Sequence, residues 1–127
     1  MKKDITDALE HVSDMVGRDL HPSNFSFEQF PSYAINDIPD DIFAWAEWSP
    51  GEFSDLNAAE VYEELVSFRG DAFARLAIGW LRSRSFPPVV VVETRDGFTE
   101  VGDGRGRISV AIAAGISRIP AVFARER

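Results

Sequence analysis

Two consecutive prolines, Pro87-Pro88, constrain this chain more than any other feature. Proline donates no backbone hydrogen bond and restricts the residue before it, so no helix runs through the pair. The residues that follow must build something else. Val89 to Glu93, VVVVE, is a β-branched run short enough for a buried strand. Thr94-Arg95-Asp96-Gly97 carries a hairpin signal, and FTEV alternates as the returning strand. Next comes Val101-Gly102-Asp103-Gly104-Arg105-Gly106-Arg107-Ile108, and Ile108 to Ala114 then reads as a small-residue helix that must lie close to its support. Gly115 caps that helix, and Ile119 to Phe123 is a last strand with Pro120 near its start or on an edge. The end of the chain is predicted as hairpin, glycine turn, helix and strand.

The first half reads differently. Ile5, Leu9, Val12 and Val16 recur at helical spacing over residues 4–16, and Gly17 follows as a stop, which predicts an amphipathic helix within residues 1–17. Residues 21–53 are rich in aromatic residues and prolines with little periodicity, apart from a short helix through DDIFAWAEW. Ring packing is expected to order this segment, because disordered chains carry few aromatics. Asn57 with Glu60 has the form of a capping box, and Val61, Leu65 and Phe68 mark the helical face behind it. Gly70 ends that helix. Asp71 is placed to cap another, in which Phe73, Leu76, Ala77 and Trp80 recur before Arg82 and Arg84.

At 127 residues with 45% hydrophobic content, residues 1–127 make one domain of ordinary size with a real core. The class is α+β, a small mixed sheet with helices. The absence of cysteine excludes disulfides, thiolate metal sites and a cysteine nucleophile. Asp4, Asp7 and Glu10 interrupt the opening MKKDITDALEHV, which does not read as a secretory leader, and no stretch reads as a membrane span. A soluble cytoplasmic protein is the expectation. The net charge of −8 divides unevenly: residues 1–68 hold 15 acids against Lys2, Lys3 and Arg18, while residues 69–127 hold ten arginines against six acids. Two readings stay open, an acidic face paired internally with the arginines, and an acidic surface for a basic partner beside an arginine-lined anion site.

The glycine-arginine stretch sits between a strand and a helix. Its N–H groups collect at a helix N-terminus, where four donors lack intrahelical partners and the dipole favours an anion. Glycines 104 and 106 let a phosphate approach the main chain, Arg105 and Arg107 supply charge-assisted hydrogen bonds, and Ser109 in the first turn can reach a phosphate oxygen. Asp103 competes, since as an N-cap it would take the same donors itself. A dinucleotide-binding GxGxxG needs glycine where Arg107 stands, and a P-loop needs a lysine that this chain lacks after Lys3.

The order Pro87-Pro88-Val89-Val90-Val91, Asp96-Gly97, the Gly102 to Arg107 turn, a helix to Gly115, then Ile119-Pro120-Ala121-Val122 resembles the core of the ParB/sulfiredoxin-like superfamily over residues 84–124. Its junction often reads Asp-Gly-x-x-Arg, or Gly-Glu-Arg-Arg in the chromosome-partitioning members, and holds nucleotide phosphates. Gly104 matches the family glycine and Arg107 the final arginine. The resemblance implies ATP or CTP as ligand, with Mg2+ as an open companion, and NTPase or nuclease activity as open outcomes. Two departures narrow it. Sulfiredoxins carry a cysteine in this turn, so peroxide-repair chemistry is ruled out here, and Arg105 replaces the partitioning glutamate associated with the phosphate-bound metal. No room follows for helix-turn-helix or dimerisation regions, which reads as a stand-alone module of unspecified oligomeric state.

Other residues offer less. His11 and His21 lack ligand spacing. Glu93, Glu100 and Asp103 could flank a magnesium ion, although alternation serves a solvated face equally well. Asp103 is the candidate catalytic group. Trp45, Trp48, Tyr62 and Trp80 read as core in preference to base-stacking platforms, and the surrounding acids repel nucleic acid, which leaves DNA an open partner only through the basic half. The competing function is a non-enzymatic interaction protein whose acidic half, Asp37 to Glu64, inhibits a basic partner or imitates DNA.

Overall fold

A computed structural model describes residues 2–127 as an α+β fold. The elements are α1 (Lys2–Val16), β1 (Phe25–Ala34), α2 (Ile42–Trp45), α3 (Ala58–Ser83), β2 (Val89–Glu93), β3 (Thr99–Asp103), α4 (Arg105–Ala113) and β4 (Arg118–Glu126). Four strands form one mixed sheet in the order β1-β4-β2-β3. The β2–β3 hairpin is antiparallel, β4 lies parallel to β2, and β1 closes antiparallel on β4. The passage from β3 through α4 to β4 therefore carries the chain across the sheet.

Why Val89 to Val92 are all apolar follows from what covers the sheet. Val90, Val92 and Ala124 face α1, where Ala8, Leu9 and Val12 pack on them. Val89, Val91, Val101 and Phe123 face the opposite layer, built from α3, α4 and the aromatic segment. A strand buried on both faces loses the alternation of a half-exposed one. A single run of valines thus belongs to two cores.

Residues 21–53 contain what the aperiodic reading missed, the ten-residue strand β1. It is an edge strand, most of whose side chains are exposed, so it shows no buried stripe. Its register on β4 shifts between Phe30 and Tyr33, where Pro31 stands opposite the stretch containing Pro120. Proline lacks a ladder donor, and a bulge is where a sheet tolerates it. Pro120 accordingly lies near the start of β4, but in a central strand, ahead of the first β2 pairing at Ala121. The DDIFAWAEW helix shrinks to the single turn Ile42–Trp45. Asp40, just before it, accepts the N–H of Val101 at 2.9 Å and so covers the open edge of β3.

The Asn57–Glu60 capping box forms as the sequence predicts. Helical geometry breaks at Arg69 and at Gly70, whose φ of +87° suits glycine, and the chain resumes as a second helical segment. Asp71 takes Arg75 at 2.8 Å in an i,i+4 pair; no cap bond from it is seen.

The two ends of the chain are joined by charge. Arg18, just beyond α1, donates to both carboxylate oxygens of Glu126 at 2.8 and 2.5 Å. The hydrogen bond from Arg18 holds the Glu126 carboxyl well below its ordinary 4.5, down to about 2. Because the folded value lies below the unfolded one, this contribution to stability is complete above about pH 4.5 and is lost as pH falls through about 2. Denaturant melts across that window are expected to show a steeper acid loss in the wild type than in Glu126→Gln. Parallel curves would remove the pair from the acid response.

Candidate functional site

The three glycines of the junction each answer a separate spatial demand. A Cβ on Gly102 would stand 2.8 Å from the Cβ of Ala8, so this glycine lets α1 lie against β3. Gly104 has φ of +107°, and a Cβ there would come within 2.5 Å of Val89 Cγ1. A Cβ on Gly106 would meet the Arg69 guanidinium at 2.7 Å and the Phe73 ring at 3.0 Å. Sequence alone attributed the spacing to ligand approach, whereas packing already accounts for Gly102 and Gly104.

The helix begins earlier than periodicity indicated. Arg105, Gly106 and Arg107 form the first turn of α4, with Gly104 as its N-cap. Asp103 does not cap it. No side chain does, and Asp103 Oδ2 instead accepts from Arg107 at 2.9 Å. Arg107 also donates to the carbonyl of Pro88, which fastens α4 to the start of β2. Arg105 donates to Glu100 Oε1 at 2.8 Å and lies 4.7 Å over the Trp45 ring. Both motif arginines are therefore engaged by the protein, with Arg107 only 15% exposed.

The acids considered for magnesium have arginine partners too. Glu93 pairs with Arg125, Glu100 with Arg105 and Asp103 with Arg107. Glu100 is buried, not solvated as alternation allowed. Its Oε2 stands 3.2 Å from His11 Nε2 but lacks hydrogen-bond alignment, so distance makes this an ion pair only when the imidazole is protonated. Among the described residues no three or more His, Asp or Glu are grouped to hold a metal ion. Ser109 is buried, and its Oγ accepts the N–H of Glu47 at 3.2 Å, which ties the acidic segment to α4.

One cation at this junction has no acid beside it, and the motif did not contain it. Arg69, delivered by the break in α3, lays its guanidinium against the first turn of α4 at Gly106. It stacks 4.8 Å from the Phe68 ring and 5.6 Å from Phe73, and among the described residues no carboxylate pairs with it. The sequence held one signal, an arginine next to a glycine inside an otherwise helical pattern.

Arg69, Phe73, Leu76 and Trp80 from α3 and Asp103, Gly104, Gly106 and Arg107 from the junction line a cleft of about 230 Å³. Its floor is the N-terminus of α4, where the first N–H groups have no intrahelical acceptor. One wall is cationic. The other is apolar, with Phe73 and Trp80 packed edge to face at 5.7 Å and Leu76 60% exposed. Such a cleft can seat a compact anion on backbone donors and a flat ring against the aromatic wall.

The chain matches no protein-family model, no curated protein and no solved structure. The residues themselves must carry the functional reading. No helix among the described residues is long and apolar enough to cross a membrane.

Proposed function

We propose that this protein is a phosphate-binding module whose ligand is a nucleotide such as ATP or CTP, seated at the N-terminus of α4. The observation that carries this reading is Arg69, a cation without an acid partner held against the positive end of a helix. Like charges in contact are unfavourable, and α4 already has two arginines and no acid in its first turn. Arg105 and Arg107 are neutralised by Glu100 and Asp103. An anion between Arg69 and the Gly106 and Arg107 N–H groups completes the third neutralisation and meets the open donors. The resemblance to the ParB/sulfiredoxin-like superfamily agrees with this placement of a phosphate.

Within this reading the roles of the motif change. Arg105 and Arg107 build the turn, Gly104 and Gly106 shape it, Ser109 anchors the neighbouring loop, and Arg69 meets the ligand. Asp103 is the one carboxylate lining the cleft and the group that would position water or a magnesium ion if bound nucleotide is hydrolysed.

Titration calorimetry of the protein with ATP, CTP, GTP and pyrophosphate, with and without magnesium, tests the reading. Binding of at least one triphosphate is expected, and Arg69→Ala should weaken it about tenfold to a hundredfold, as for the loss of a charged hydrogen bond. Its melting temperature should stay close to the wild type, because Arg69 is an exposed residue and among the described residues pairs with no carboxylate, so only its stacking on Phe68 and Phe73 is lost. Absence of binding by every probe, or undiminished binding by Arg69→Ala, contradicts the proposal.

A further inference from the structure

The opposite end of α4 carries a second concavity, of about 180 Å³, walled by Ile35, Phe43, Pro50, Ile112 and Ile116. Two main-chain hydrogen bonds fix its shape: Gly51 N–H to the Ile112 carbonyl at 2.9 Å and Ile35 N–H to the Ser117 carbonyl at 2.9 Å. Phe43 stands at its side on the single turn of α2, 55% exposed. A large aromatic left in water beside a preformed apolar groove is a feature of interaction surfaces.

The charge around the groove selects the occupant. Residues 35–64 contain nine acids and no basic residue. Among the described residues none of these nine enters an ion pair: Arg18 pairs with Asp96 and Glu126, and the arginines of the second half pair with Glu28, Asp71, Glu93, Glu100 and Asp103. Asp40, Glu52, Glu60 and Glu64 accept hydrogen bonds within the fold. Asp37, beside the lining residue Asn36, and Asp41, two positions before Phe43, are exposed without any such bond. Arg118 is the one basic residue adjoining the groove in sequence, and it is turned onto Ser32 of β1.

The geometry points to a docking site for a basic segment of another protein, an apolar side chain entering beside Phe43 while flanking arginines or lysines meet Asp37 and Asp41. The acids supply orientation and association rate, and the groove supplies the anchor. This inference is independent of the nucleotide reading, because it uses other residues at the other end of α4.

Fluorescence anisotropy tests it with a short fluorescein-labelled peptide in which a Leu-Phe pair is flanked by arginines. Two control peptides carry glutamates in place of the arginines, or an Ala-Ala pair. The arginine peptide should bind, salt should weaken it, and both controls should bind at least about tenfold more weakly. Phe43→Ala and the double variant Asp37→Lys, Asp41→Lys should each reduce affinity about tenfold. All three positions are exposed, so unchanged thermal melts are expected to accompany these losses. No binding by the arginine peptide, equal binding by either control, undiminished binding by the variants, or displacement of the peptide by self-association of the protein would overturn the proposal.

Discussion

Replacing Gly104 by alanine is expected to destabilise the protein by about 2–5 kcal/mol, combining the cost of a left-handed backbone with that of overpacking. The backbone there has φ of +107°, and the added Cβ lands 2.5 Å from Cγ1 and 2.8 Å from Cβ of Val89. Val89 is wholly buried at the start of β2 and belongs to the core beneath α4, so it cannot retreat without opening that core. Urea unfolding followed by circular dichroism reads the effect directly. A Gly104→Ala protein as stable as wild type, yet defective in phosphate binding, would mean that this glycine serves ligand approach alone. Gly106→Ala makes the useful contrast, since its new Cβ meets the tip of the flexible Arg69 side chain at 2.7 Å. It should cost less stability and more binding.

Phe123→Ala should cost about 3–5 kcal/mol, the usual range for deleting a buried aromatic. Phe123 is 1% exposed in β4, with Phe30 at 5.4 Å and Tyr33 at 4.8 Å between ring centroids. Those two rings flank the irregularity in β1, and Phe123 is the ring from β4 on which both pack. Loss of protection from hydrogen exchange in β1, beyond the general loss of stability, is the expected local signature. A variant that unfolds at wild-type urea concentration would show that strand pairing, and not ring packing, fixes the segment.

Much of the fold could be read from residues whose effect is local. Pro87-Pro88, the Asp96-Gly97 turn, the Asn57 capping box and the valine run each state a conformation within a few positions, and each forms as expected. β1 was hidden because its information is not local. An exposed edge strand has no stripe to betray it, and Phe30 and Tyr33 acquire their meaning only against Phe123, far along the chain. The start of α4 was missed for a related reason. Arg105, Gly106 and Arg107 lack apolar periodicity, yet Gly104 turns the chain so that they enter the helix.

The candidate site was legible as a place but not as a set of residues. Alternating glycines and arginines before a helix located the anion position, and the electrostatics of a helix N-terminus support it still. Sequence did not say which arginine is free: Arg105 and Arg107 take acids a few positions before them, Glu100 and Asp103, Arg107 also reaches Pro88, and only the fold brings Arg69 to the junction. Arg69, outside the motif, is the cation left over.

Backbone amide chemical shifts during a titration with nucleoside triphosphate test that claim most directly. The amides of Gly106 and Arg107 should move strongly and saturably, with the side-chain signal of Arg69, while those of Gly97 and Gly115 stay in place. Stationary amides in the first turn of α4, or shifts confined to other parts of the protein, would contradict a phosphate seated there.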